Sequence, residues 1–230
     1  MSDSRRIKST LYQHVARIGK AVSSPARLEL LALLAEGEQS VEALARATDL
    51  EVKNASAHLR VLREARLVEV RKEARFVFYR LADEAVASFF LALRDLAERR
   101  LAEVREVSER YFGGRERMSS VDRRRLLQRI RRGEVTVLDV RPASEFAVGH
   151  IPGARSVPLS ELRKTLRSIP RDQEIVAYCH GPYCVLAVEA VELLRAKGYR
   201  ATRLEDGIVD WKAAGLPTAT GKDHPGGVTA

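Results

Sequence analysis

Cysteine is almost missing from this chain of 230 residues, and its two copies, Cys179 and Cys184, fall within the single segment YCHGPYC. So small a supply excludes the disulfide framework of a small secreted domain. Two readings of the pair are left: redox or nucleophilic chemistry, or two buried apolar thiols. Long apolar runs are missing as well, since none approaches the roughly 20 residues of a membrane span. The N-terminus, MSDSRRIKST, lacks the apolar stretch of a secretory signal, so a cytoplasmic protein without a membrane partner is expected. Acidic charge is in deficit, 31 Asp and Glu against 40 Lys and Arg, for a net charge of +9. That balance favours a polyanionic partner, although a basic surface also serves solubility. The excess is local. Lys53 to Arg80 holds eight basic residues against three acidic, whereas Leu81 to Phe112 holds five against seven.

The length accommodates two domains of about 100 residues each. Leu11, Val15, Ile18 and Val22 recur at helical spacing, predicting a helix from Ser9 to Val22. Ser24-Pro25 supplies a cap and a first-turn proline for a second helix that Gly37 stops. A short helix begins at Ser40, and another runs from about Val52 to Ala65, burying Leu59 and Leu62. Val68 and Val70 then alternate with charges up to RKEAR, and Phe76, Phe78 and Tyr79 resume the pattern, which reads as a charged hairpin. A long helix is expected from about Asp83 to Tyr111, with an apolar stripe that one small domain cannot cover. Paired with the first helix, it suggests a homodimer interface, and docking onto a second domain would satisfy the same stripe. Gly113-Gly114 opens a linker, after which strand and helix signals alternate as in a parallel α/β sheet. The expected organisation is residues 1–112, a linker at 113–118, a second domain at 119–218 and a flexible tail at 219–230.

Helix, short helix, third helix and charged hairpin, in that order, is the layout of a mainly α winged helix-turn-helix that binds double-stranded operator DNA. The segment from SPARLELLALLAEG through NASAHLRVLREARLVEVRKEARFVFYRL resembles the ArsR-type regulators, over roughly residues 7 to 110. On the recognition helix that the resemblance implies, Lys53, Asn54, Ser56, Ala57, His58 and Arg60 are the candidates for contact with bases or phosphates. Arg71, Lys72 and Arg75 mark the wing, whose plain alternative is a solvated turn, and His58 has the alternative of packing against its own domain. Arg66 and Ala74 stand where the family usually has glycine, so both turns should be strained. Many relatives bind metal through cysteines on the third helix or Asp/His pairs on the last one. This half has no cysteine and its last helix no histidine, so no metal site of those types and no cofactor is expected.

The second half resembles the rhodanese family, most clearly in LDVRPASEFAVGHIPGARSVP, in YCHGPYC and in LEDGIVDW. The resemblance implies an α/β domain with a central parallel sheet, and it makes Asp139, Arg141, Glu145 and His150 fold-holding polar residues. It places Cys179 as the nucleophile, after a buried strand and before a helix whose N–H groups favour a thiolate. Such a thiolate attacks the outer sulfur of a sulfane donor and becomes a persulfide. His180, Gly181, Pro182 and Tyr183 form the active-site loop, in which Pro182 donates no N–H. Cys184 is a candidate resolving thiol, with helix-start packing as its alternative. A phosphatase or arsenate-reductase loop needs an arginine where Val185 stands, and none occurs before Arg195. Three functions stay open. One is a regulator, most simply a repressor, that senses reactive sulfur through Cys179 persulfidation or Cys179–Cys184 bridging. The others are a sulfurtransferase with an appended DNA-binding domain, and a sensor of arsenite or a thiophilic metal.

Overall fold

The computed structural model describes residues 3–112, 117–118 and 123–221. The expected linker residues 113–116, residues 119–122 at the start of the second domain, and tail residues 222–230 lie outside these. The chain divides into two compact units, one ending at Leu93 and the other beginning at Arg94.

The first unit contains α1 (Asp3–Val22), α2 (Pro25–Glu36), β1 (Gln39–Ser40), α3 (Val41–Ala47), α4 (Val52–Glu64), β2 (Val68–Glu73) and β3 (Phe76–Leu81). Pro25 opens α2, and the Ser40 hydroxyl accepts a bond from the Ala43 N–H (3.2 Å) to cap α3. Leu30, Leu31 and Leu34 of α2, Leu44 of α3, and Leu59 and Leu62 of α4 bury almost completely into one core. The hairpin is antiparallel, with Val68 opposite Leu81 and Glu73 opposite Phe76, and β1 adds on beside β3. Three non-glycine residues have left-handed φ: Asp49 (+50°), Arg66 (+60°) and Ala74 (+51°). Two of these are the turns where glycine was expected and is missing, and each carries about 1–2 kcal/mol of steric cost for an L residue. Helix, helix, turn, helix and wing together make the winged helix-turn-helix.

Helix α5 (Glu84–Arg100) starts where Asp83 Oδ1 accepts from the Val86 N–H (3.1 Å) and crosses the boundary between the units. The single helix expected to Tyr111 is two, because α6 (Ala102–Phe112) begins after a one-residue interruption at Leu101. The Leu101 N–H still reaches the Ala97 carbonyl (2.8 Å), and neither proline nor glycine stands there to announce the break. On α1, Ile7, Leu11, Tyr12 and Val15 are each 60% exposed or more, so most of that helix's apolar stripe is left uncovered in the single chain.

The second unit adds β4 (Arg117–Met118), α7 (Arg123–Arg131), β5 (Val135–Asp139), α8 (Ala143–Val148), β6 (Arg155–Ser156), α9 (Leu159–Thr165), β7 (Glu174–Tyr178), α10 (Leu186–Ala196), β8 (Ala201–Leu204) and α11 (Ile208–Ala213). Its sheet has the order β4-β8-β7-β5-β6 with every neighbouring pair parallel, so residues 117 and 118, expected in the linker, lie in an edge strand. Strands β5 and β7 pair in register from Val135 opposite Glu174 to Asp139 opposite Tyr178. Their apolar runs VTVLD and EIVAY are buried on both faces, as helices covering a parallel sheet require. In such sheets ligands collect beyond the carboxyl ends of the strands, and here Asp139 and Cys179 stand at those ends.

Candidate functional site

The loop from Cys179 to Val185 joins the end of β7 to the start of α10. The Cys179 side chain points into the core and is 1% exposed, while Cys184 is half-buried. Both thiols are free, and the Cys179 thiol faces the Cys184 carbonyl oxygen at 3.6 Å. Burial and the hydrogen bond with Cys184 push the Cys179 pKa well up, against the smaller opposing pull of the Ala187 and Gly181 N–H groups. Cys184 moves the other way, drawn down by the hydrogen bond from Cys179 and then by His180. A thiolate favoured at Cys179 was the expectation from the loop's N–H groups alone. In the structure those groups are present and pull the Cys179 thiol down, while burial pushes it up more strongly.

His180 links this pair to a different element. Its Nε2 donates to the Glu145 carboxylate (2.7 Å) and its Nδ1 lies 3.4 Å from Cys184 Sγ. Glu145 sits in the first turn of α8, just beyond the end of β5. The other three residues read as fold-holding behave differently. Asp139 and Arg141 form a fully buried ion pair (2.6 Å), and Arg141 also donates to the Gly149 carbonyl (2.8 Å). His150 donates from Nδ1 to the Phe146 carbonyl (2.8 Å) and stacks on the Phe146 ring. Glu145 therefore parts from its three sequence neighbours and faces the sulfur loop.

Several residues that hold the loop were not singled out from sequence, although two of them, Gly207 and Asp210, lie within LEDGIVDW. Gly207 packs so closely that a Cβ there would lie 2.3 Å from the His180 carbonyl oxygen. Asp210 caps α11 by accepting from the Gly207 N–H (3.1 Å) and pairs with Arg94 of α5. One turn further along α5, Glu98 accepts a bond from the Tyr183 hydroxyl (2.6 Å). Two α5 side chains in the second unit thus reach the loop and its Gly207 support. The Arg203 guanidinium donates to the Pro182 carbonyl (3.2 Å), which fixes the loop's least adaptable residue.

In the first unit, Ala55, Leu59 and Leu62 anchor α4 at helical spacing and fix its rotation. Lys53, Asn54, Ala57 and Arg60 are consequently exposed on the outer face, with Ser56 and His58 half-buried beside them. Lys72 and Arg75 are exposed on the wing, and the Arg75 guanidinium lies over the Phe76 ring. Arg71, also exposed, is held by Glu38 (2.6 Å) and Glu73 (2.5 Å), so much of its charge is already answered within the unit. Among the described residues of either unit taken by itself, no three His, Cys, Asp or Glu side chains converge tightly enough to hold a metal ion.

A winged helix-turn-helix joined to a parallel α/β domain with a cysteine loop defines a two-domain regulator of transcription. Residues 24–70 match the bacterial regulatory protein, arsR family, and residues 122–214 match the rhodanese-like domain. An HTH-type transcriptional regulator of Mycobacterium tuberculosis is 44% identical over 214 residues, covering 93% of this chain and 94% of that protein. A biofilm growth-associated repressor of Agrobacterium fabrum is 44% identical over 79 residues, covering 34% of this chain and 68% of that one. A sulfurtransferase of Allochromatium vinosum is 32% identical over 102 residues, 44% of this chain and 94% of that one. The chain belongs to the ArsR family of transcriptional regulators, in a form that carries a rhodanese-like domain.

Proposed function

We propose that this regulator is a cytoplasmic homodimeric repressor whose affinity for operator DNA responds to sulfane sulfur, through persulfidation of Cys179 or a Cys179–Cys184 bridge. The observation that carries the reading is the pair itself. Two thiols share one loop at the carboxyl end of a buried strand, and the Cys179 thiol faces the Cys184 carbonyl. Tyr183, between them in sequence, donates to Glu98 of α5, and the same helix supplies Val86, Phe90 and Leu93 to the first unit's core. A change at the loop therefore acts on a helix on which the DNA-binding unit is built. In this reading Lys53, Asn54, Ser56, Ala57, His58 and Arg60 meet the major groove, and Lys72, Arg75 and Arg71 meet the backbone beside it. The exposed stripe of α1, with Phe89 of α5, fits a second copy of the chain.

The test is operator binding by the full-length protein with and without inorganic polysulfide, for wild type and Cys179→Ser. Wild type is expected to lose at least about tenfold in affinity, 1.4 kcal/mol, on treatment, with no such change in the variant. Unchanged wild-type binding during continuing sulfur turnover would contradict the reading in favour of a sulfurtransferase. That second reading draws support from the Gly181 and Ala187 N–H groups around Cys179 and from the likeness to a sulfurtransferase over the second half.

A further inference from the structure

Residues 123–134 read RRRLLQRIRRGE, six arginines against one acidic residue, and neither the α4 face nor the cysteine loop makes use of them. They form α7 and the turn that enters β5. Leu126 and Leu127 are buried and Ile130 is half-buried, which fixes the rotation of α7 against the sheet. Two of the arginines are answered within the unit, Arg123 by Asp206 (2.6 Å) and Arg129 by Glu174 (2.6 Å). Arg124, Arg125, Arg131 and Arg132 are exposed, and at 3.6 residues per turn they fall on one arc of about 120°, away from the three apolar positions. Among the described residues no carboxylate pairs with Arg124, Arg125 or Arg131, and Arg132 has only the exposed Glu134 at 3.7 Å, a pair worth little.

The positive surface continues from the last turn of α7 across the amino end of the sheet. Strands β5, β7 and β8 are parallel, so the turns that enter them lie side by side. They are also tied together: the Gln173 amide donates to the Gly133 carbonyl (3.0 Å), Arg200 to the Asp172 carbonyl (2.7 Å) and Arg171 to the Lys197 carbonyl (3.3 Å). Arg171, Lys197 and Arg200 are exposed there, and bonds to carbonyl groups leave the charge of the two guanidinium groups in place. The cysteine loop stands at the other, carboxyl end of β7. We propose that the arginine face of α7, with these turns, is a second contact surface for the phosphate backbone of duplex DNA, by which the rhodanese-like unit adds sequence-independent affinity to the contacts of α4 and the wing. The inference rests on the DNA binding of the family and is independent of the sulfur response. Charge complementarity selects the partner, since arginine is the side chain best suited to phosphate and a duplex carries one negative charge per about 1.7 Å. Arg124 to Arg131 spans about 10 Å of helix axis, or three base-pair steps. A duplex held by the first unit also presents its flanking phosphates at raised local concentration. An anionic membrane fits less well, because a helix that lies on a bilayer inserts an apolar face and that of α7 is turned to the core.

The test is the salt dependence of DNA binding by the reduced full-length protein, on a duplex selected from a random pool and flanked on each side by about two helical turns of unrelated sequence. The triple variant Arg124→Gln, Arg125→Gln, Arg131→Gln replaces exposed side chains by a good helix former, and an unchanged melting curve checks its fold. Its affinity is expected to fall at least about tenfold, and its salt slope by about two to three, near 0.9 for each lost phosphate contact. The ratio of selected to scrambled duplex affinity should hold, because phosphate contacts carry no sequence information. A second triple variant, Arg163→Gln, Lys164→Gln, Arg167→Gln, removes the same charge from exposed positions on and after α9 and should shift the slope by less than one. Wild-type affinity and slope in the α7 variant overturn the proposal, and so does an equal loss in both variants, which would reduce the effect to net charge. Binding of wild type to vesicles of anionic phospholipid, lost in the α7 variant while its DNA salt slope is unchanged, overturns it in favour of a membrane surface.

Discussion

Helix α4 and the cysteine loop both present functional groups, but in opposite ways. On α4 the candidate contacts are mostly exposed side chains on one face, set by the burial of Ala55, Leu59 and Leu62 on the other. Each acts largely alone, as groups that meet a polyanion do. In the loop, the groups are partly or wholly buried and hydrogen-bond to one another: Cys179 to Cys184, Cys184 to His180, His180 to Glu145. There a single substitution changes several groups at once. The α4 face should therefore respond to substitution in small additive steps, and the loop in large coupled ones.

The largest effect is expected where coupling meets burial. Asp139→Asn removes the carboxylate charge that answers Arg141 in the core beneath the loop, which should cost about 3–5 kcal/mol of second-unit stability in denaturant unfolding. A loss under 1 kcal/mol would show that the ion pair is not what holds that end of the sheet. Next, Gly207→Ala forces a methyl against the His180 carbonyl, for a loss of about 1–3 kcal/mol. Slower sulfur uptake should accompany it, and an unchanged melting curve would mean that the loop gives way freely. On the α4 face, Lys53→Ala should cost about 1–3 kcal/mol of specific binding, and on the wing Lys72→Ala should lower the salt slope of binding by about one. Arg71→Ala should do less than Lys72→Ala, because Glu38 and Glu73 already occupy its guanidinium, and equal salt slopes would contradict that partition. The smallest effect is a gain: Ala74→Gly relieves a left-handed φ and should stabilise the first unit by up to about 1 kcal/mol.

The pH dependence sharpens the same comparison. Cys184 is displaced downward, so its thiolate and its alkylation rate should persist below the ordinary thiol range, failing only as pH falls through its lowered value. Cys179 is displaced upward and should stay unreactive until pH rises above the ordinary range. Alkylation of the two cysteines followed across pH by mass mapping checks both signs, and coincident profiles would contradict the assignment.

How much of this could be read from sequence follows the same divide. The helices of the first unit and the charged hairpin follow from apolar spacing and turn residues, whereas the candidate positions on α4 and the expectation of strain at Arg66 and Ala74 came from the resemblance to the ArsR-type regulators. The break at Leu101 did not, since no residue there marks it. In the second half the two cysteines announce the loop because they stand so close together. Glu145 was hidden among Asp139, Arg141 and His150, all read as structural. Its meeting with His180 depends on β5 lying beside β7 with Asp139 opposite Tyr178, so that residues just beyond both strands converge. Strand adjacency of that kind is a property of topology, and spacing along the chain does not encode it. Gly207 stood within LEDGIVDW, but its packing role was not legible for the same reason, because its neighbour His180 is close only in space.

In the proposed mechanism the chemical state of the cysteine loop sets the affinity of the α4 face for DNA. A duplex selected from a random pool by the reduced protein gives the ligand, and its affinity is measured before and after polysulfide for wild type and Cys179→Ser. A drop of about tenfold or more in wild type, reversed by reductant and missing from the variant, is the predicted result. Equal affinity of the reduced and sulfur-treated wild type, with the loop shown by mass to be modified, would contradict it.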